Sequence, residues 1–328
     1  MFITPIAESF ASVASRNLQI ALCAATVALC TLVDPSLADA EPLHGAIMRF
    51  EFDGQPDVTF SGDGFVEANL PGEGSELFRA GARTTATTAN DRYIVASSRK
   101  VRADSRLLLA RFRSDKGALD TPWGTGGFVT DTIAGTFSER VIDRISVDSS
   151  GRIIAVGELI GSTRSSIFIT RFNANGAFDP TFGTSGRTIF NVSATSNDAV
   201  ANMGFAIDAN GRFIVGGYSS DGGPTRSLLV RFASNGLLDT TFGTGGRALT
   251  TLPGTTSSFV RDVVLDLNGR IVVTGAALTS ASSTTVRGMM ARFSASGVLD
   301  ANFNTNGVRI VTFPIGRGAR SAPPSWST

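Results

Sequence analysis

The sequence predicts an all-β protein, a β-propeller of about 60-residue four-stranded blades, four complete plus a split or truncated fifth. Three observations predict it. One motif recurs five times at a nearly fixed step. Each step holds four short apolar segments divided by turn signals. No stretch keeps a 3.6-residue apolar period, and glycine recurs too often for long helices.

The copies of the motif start at Arg49, Arg111, Arg171, Arg231 and Arg292, at steps of 62, 60, 60 and 61 residues. A fixed period over most of a chain marks a repeat architecture. Each Arg-Phe is followed by a glycine, then an aspartate (Asp57, Asp120, Asp179, Asp239, Asp300) and an aromatic (Phe60, Trp123, Phe182, Phe242, Phe303). A closing glycine follows at Gly64, Gly127, Gly186, Gly246 and Gly307.

Between motifs the pattern is that of strands. In the third unit these are 187–192, 199–207, 212–218 and 227–232. The Asn210-Gly211 pair predicts a tight hairpin turn, because both residues tolerate positive φ. Asp148 to Gly151 and Asp266 to Gly269 stand at equivalent places. The third and fourth strands are apolar on both faces, as in Ile153-Ile154-Ala155-Val156, so the sheet is covered on both sides. Copies of such a sheet packed on one another are propeller blades. The motif is then expected to carry the chain from one blade to the next. Its aromatic would plug between blades, and its Arg and Asp would form a structural pair.

The pattern Arg-Phe-x-x-x-Gly-x-Leu-Asp-x-x-Phe-Gly-x-x-Gly, followed by Asp-x-x-Gly-Arg-Ile-x-Val-x-Gly, resembles the delta-60 repeat family over about 45–311. It is more weakly similar to NHL-type propeller repeats. The delta-60 resemblance implies a bacterial propeller-like fold in a secreted or surface protein. It implies no chemistry.

The remaining chain gives the domain plan. Residues 1–40 are expected to be a signal peptide: Arg16 precedes an apolar run from Leu18 to Val33, and Ala38-Asp39-Ala40 fits a cleavage site before Glu41. A membrane anchor is the alternative, but the run is short for a span. The repeat domain covers 41–314, with blades at about 64–117, 127–176, 186–236 and 246–297 and partial strands at 45–54 and 307–313. Residues 315–328 abandon the pattern and are expected to be a disordered tail, natural or the product of a frameshift.

Composition excludes several function classes. Both cysteines, Cys23 and Cys30, fall in the signal, so no disulfide or thiol nucleophile remains after cleavage. The processed chain would keep 28 bases and 25 acids, too balanced for a nucleic-acid binder. The one histidine, His44, precedes the repeats, which rules out a multi-histidine metal site. No turn fits a calcium loop, and no glycine-rich stretch opens a phosphate-binding helix. No cofactor and no metal are expected.

Function is therefore sought where the copies differ. The loops at 67–78, 130–139, 193–197 and 253–258, and those at 98–105, 158–165, 219–225 and 278–285, open on one face and vary in every unit. The binding-face candidates are Arg99, Lys100, Arg102, Asp104, Glu139, Glu158 and Asp221. The first three belong to the chain's basic cluster. The four acids are those to watch for a carboxylate pair. The expected function is an exported, monomeric, non-catalytic binding or scaffold module for a protein, peptide or glycan. The alternatives are a propeller-fold glycan lyase or hydrolase using face carboxylates, or a truncated fragment without independent function.

Overall fold

The computed structural model describes residues 17–22, 27–33, 45–51, 53–68, 76–84, 92–101, 104–131, 137–161, 165–192, 203–220, 223–280 and 285–311. Those residues form twenty strands in five antiparallel sheets, each of four strands that are consecutive in the chain. The first blade holds β1 (Asn17–Leu22), β2 (Val27–Val33), β3 (Gly45–Arg49) and β4 (Phe65–Ala68). The second holds β5 (Glu76–Arg83), β6 (Arg92–Val101), β7 (Asp104–Arg113) and β8 (Phe128–Asp131). The third holds β9 (Phe137–Val147), β10 (Ile153–Gly161), β11 (Ser165–Phe172) and β12 (Arg187–Asn191). The fourth holds β13 (Gly204–Ile207), β14 (Phe213–Ser219), β15 (Arg226–Phe232) and β16 (Arg247–Thr250). The fifth holds β17 (Ser257–Leu265), β18 (Ile271–Leu278), β19 (Arg287–Phe293) and β20 (Val308–Val311).

The all-β propeller-like class is observed, but the division into blades is one strand out from the expected one. The motif does not cross between blades. It is a wide hairpin inside one sheet, because the Arg N–H bonds the closing glycine's carbonyl across its mouth. That bond is 2.9 Å from Arg171 to Gly186 and 3.1 Å from Arg231 to Gly246. The strand after the glycine therefore lies on the strand before the arginine, as Thr170 on Arg187 does. Consequently β3 and β20 are not isolated partial strands: each belongs to a four-stranded sheet. The partners of β3 on its far side are β2 and β1, which lie within the stretch that reads as an export signal. The tail 315–328 lies outside the described residues.

The chain moves between blades after each fourth strand instead. Alternation within a sheet still sends the motif hairpins and the tight turns to one end, and the remaining connections to the other. The tight turns also differ in detail: only the glycine takes positive φ, +72° at Gly211. Asp208 Oδ1 accepts the N–H groups of Asn210 and Arg212, both at 2.9 Å, and Oδ2 accepts Arg212 Nε at 2.6 Å. Asp148 and Asp266 hold their turns in the same way.

Apolar cores lie between blades. Ile154, Val156, Ile167 and Ile169 of the third blade pack with Met203, Phe213, Val215 and Leu228 of the fourth. A similar core joins the fourth and fifth. The first strand of each blade is the inner one: Arg144 on β9 donates to the Arg261 carbonyl on β17 at 3.3 Å, although another blade stands between them in sequence. Among the described residues, no helix is long and apolar enough to cross a membrane.

Candidate functional site

The motif side chains are engaged in joining blades. Arg231 Nε lies 2.8 Å from Asp239 Oδ2, its guanidinium sits 4.7 Å from the Phe242 ring centre, and Nη1 donates to the Ala295 carbonyl of the next blade at 2.6 Å. Arg171 repeats this with Asp179, Phe182 and Ser234, and Arg111 with Asp120, Trp123 and Ala174. Arg49 does so with Asp57, Phe60 and Ser114. Arg292 pairs with Asp300 at 2.8 Å and lies 5.0 Å from Phe303. A second tie, invisible in the motif, joins Arg187 of the third blade to the fully buried Asp131 of the second.

A different set of charges gathers at the hub. Three inner strands carry a β-bulge at the same place, which puts Arg79, Asp143 and Arg261 at the extra position. Counting back from the tight-turn aspartates, Met203 occupies this position in the fourth blade. A bulge breaks the alternation of a strand and re-aims a side chain, and bulges recur beside functional sites. The room for two of them comes from glycine. A Cβ on Gly157 would lie 2.0 Å from the Val141 carbonyl oxygen, and one on Gly275 would lie 1.9 Å from that of Phe259.

Asp143 is the buried member, 6% exposed. The Met203 N–H donates to its carboxylate, while among the described residues nothing bonds its Oδ2. Burial pushes its pKa up to about 7; the Glu158 charge adds to the rise, and the Met203 N–H, Arg144 and Arg79 oppose it. Glu158 is itself buried on β10. On β14 the equivalent residue is Tyr218, whose ring meets Phe259 edge-on at 5.0 Å and lies 5.8 Å from the Arg261 guanidinium. Burial raises the Tyr218 hydroxyl pKa and Glu158 adds to that, with Arg261 opposing. Arg144 Nη2 is 3.9 Å from Asp262 across the hub. The hub thus offers carboxyl, guanidinium, phenol and aromatic groups together, a set suited to polar, hydroxyl-bearing ligands.

Of the expected binding-face residues, Glu158 belongs to this cluster. Arg102 and Asp221 lie outside the described residues, and for Arg99, Lys100, Asp104 and Glu139 only the backbone is described. The stretch 98–105 is a strand hairpin rather than an open loop, with Lys100 opposite Ser105. The expected loop ending at Glu139 likewise gives way to β9, which starts at Phe137. Asp143 escaped the sequence reading. Its available signal was a charged doublet inside an apolar strand, Asp143-Arg144, repeated with reversed sign as Arg261-Asp262. A groove of about 580 Å³ lies away from the hub, lined by Phe190, Phe232, Leu238 and the turn at Gly236. It follows from the motif geometry of the third and fourth blades.

Several solved structures are similar in fold. An endo-arabinase from Bacteroides thetaiotaomicron is 12% identical with a TM-score of 0.42, over 84% of this chain and 92% of that one. The polysaccharide lyase Uly1 is 11% identical with a TM-score of 0.47, over 92% and 70%. An exo-β-1,3-galactanase from Phanerochaete chrysosporium is 13% identical with a TM-score of 0.38, over 89% and 62%. No curated protein matches the chain. The model of a domain of unknown function, the DUF5122 β-propeller, matches residues 149–182, 209–242 and 267–303. Each matched segment runs from a tight turn or its edge to a motif aromatic, and together they support a β-propeller repeat.

Proposed function

We propose that this chain is an exported, non-catalytic propeller module that binds a polar, hydroxyl-rich ligand, with a glycan as the first class to test. The observation that carries the reading is Asp143: a buried carboxyl with an oxygen unbonded among the described residues, set at a bulge among Arg79, Arg144, Glu158 and Tyr218. A buried polar atom without a partner calls for one, and a ligand hydroxyl supplies the donor. Export rests on the sequence pattern of residues 1–40. Cleavage before Glu41 would remove β1 and β2 and leave β3 and β4 of the first blade. Mass spectrometry of the N-terminus of secreted material reads this directly.

The rival reading, a glycan lyase or hydrolase, also has an observation in its favour. A carboxyl held at about 7 beside a second buried carboxyl is the arrangement of a general acid. One experiment separates the two. The full chain and its Asp143→Ala variant are screened on a glycan array, and then incubated with the retained polysaccharides. Retention lost in the variant, with no new reducing or unsaturated ends from the wild type, supports binding alone. New ends that depend on Asp143 favour the enzyme. Equal retention by both proteins removes the hub as the site.

A further inference from the structure

Each contact between successive blades on the motif side has two halves. One is a socket, formed by the motif aromatic under its arginine. The other is a plug, formed by the glycine turn of the following blade. Gly117 seats on Phe60, Gly176 on Trp123, Gly236 on Phe182 and Gly297 on Phe242; a Cβ on any of these glycines would come within 2.6–3.1 Å of the ring below. The socket arginine then donates to a carbonyl of the plug turn: Ser114, Ala174, Ser234 and Ala295 in the four joints. In three of them a backbone bond locks the pair, as from Gly183 N–H to the Asn235 carbonyl at 2.7 Å. The four covered aromatics are at most 1% exposed.

One socket and one plug are left over. Arg292, Asp300 and Phe303 are arranged as in the other sockets, yet Phe303 is only half-buried and no described carbonyl accepts from Arg292 Nη1. At the other end, Gly54 closes the same kind of turn, its N–H 3.0 Å from the Glu51 carbonyl, with φ +86°. Nothing among the described residues lies within 4 Å of a Cβ placed there, so the two halves do not meet among them.

We infer that the Gly54 turn of a second copy of this chain seats on Phe303 and Arg292, joining copies head to tail. The interface is heterologous, since a socket meets a plug, and each added copy carries a fresh half at both ends. Both halves lie outside residues 1–40, so export processing removes neither. The same contact succeeds four times inside the molecule, which is why a second copy fits better than an unrelated partner.

The test uses two variants of the full chain. Gly54→Asn tolerates the left-handed backbone but places a side chain where the ring must sit. Phe303→Ser empties the socket. Circular dichroism melts first establish that both fold cooperatively, with Arg292→Met replacing Phe303→Ser, and Gly54→Asp replacing Gly54→Asn, should either not. Mass is then followed by light scattering across a wide concentration range. The wild type is expected to exceed one copy as concentration rises, and each variant alone to stay at one. An equal mixture of the two variants is expected to form a species of two copies and nothing larger, because one intact half remains on each. A wild type that stays at one copy throughout overturns the inference, as closure of the ring within a single chain would produce. Variants that associate like the wild type overturn it as well.

Discussion

Asp143 and the motif aspartates Asp57 and Asp239 respond to acid in opposite directions. For Asp143 the folded pKa lies above the ordinary value, chiefly through burial. Its neutral form therefore stabilises the fold fully below about pH 4, and that contribution is lost as pH rises through about 7, amounting to at most roughly 4 kcal/mol. The bonds from Arg49 and Thr59 hold Asp57 down at about 2, so its contribution is present above about pH 4 and is lost as pH falls towards 2. Asp239 is also lowered, first by the Thr241 hydroxyl and then against its own burial. Asp143→Asn is therefore expected to abolish the decline in stability between pH 4 and 7 and to exceed the wild type above pH 7, in urea titrations at several pH values. Arg231→Met should act at every neutral pH, because it strips a nearly buried pair and an interblade bond. A loss of roughly 3–5 kcal/mol is expected, and an unchanged melting temperature would show that the pair does not hold the blades.

At the scale of elements, what was legible depended on which direction the information ran. The motif lies along the chain, so its glycines, aspartates and aromatics could be aligned from sequence alone, and they build the same hairpin in every blade. The bulges lie across the chain. They depend on register between neighbouring strands: Gly275 on β18 makes room for Arg261 on β17 only because the pairing sets it against Phe259, while the second blade has Ser97 at the equivalent place. The same reason hid the true role of the hairpin. Whether Arg231 begins a crossing or closes a mouth is decided by its bond to Gly246, which spacing does not reveal. Gly275→Ala is expected to force β17 away from β18, because the neighbour it meets, the Phe259 carbonyl oxygen, is backbone and cannot swing aside. The loss of stability should exceed that of an exposed Gly→Ala change such as Gly254→Ala, where an added Cβ meets nothing and only the positive φ is strained. Equal losses would show that the bulge does not need the glycine.

At the scale of the molecule, the five-fold repetition was legible, and the phase of the blades was not. A 60-residue period can be cut into sheets at any of its connections, and the sequence marks all of them with turn residues alike. The site was legible only through Glu158, since the hub draws its groups from separate blades and from different positions within each. The phase nevertheless makes a prediction. Joining Gly186 directly to Arg247 removes 60 residues, one period, and brings the Gly297 turn to the socket at Phe182. The shortened chain is expected to fold cooperatively with one sheet fewer, whereas removing 187–216, half a period, strips β12 from the third sheet and β13 with most of β14 from the fourth and should not. Cooperative thermal melts of both proteins compare them directly.

The hairpin that bonds its own mouth while holding the next blade has one more consequence. Every period contains one socket and one plug wherever the cut is made. Slippage between copies of the gene segment can therefore add or drop a period without repairing anything at the new boundary. Blade number in such a molecule is free to drift, and only the hub, whose members differ from copy to copy, records which blade is which.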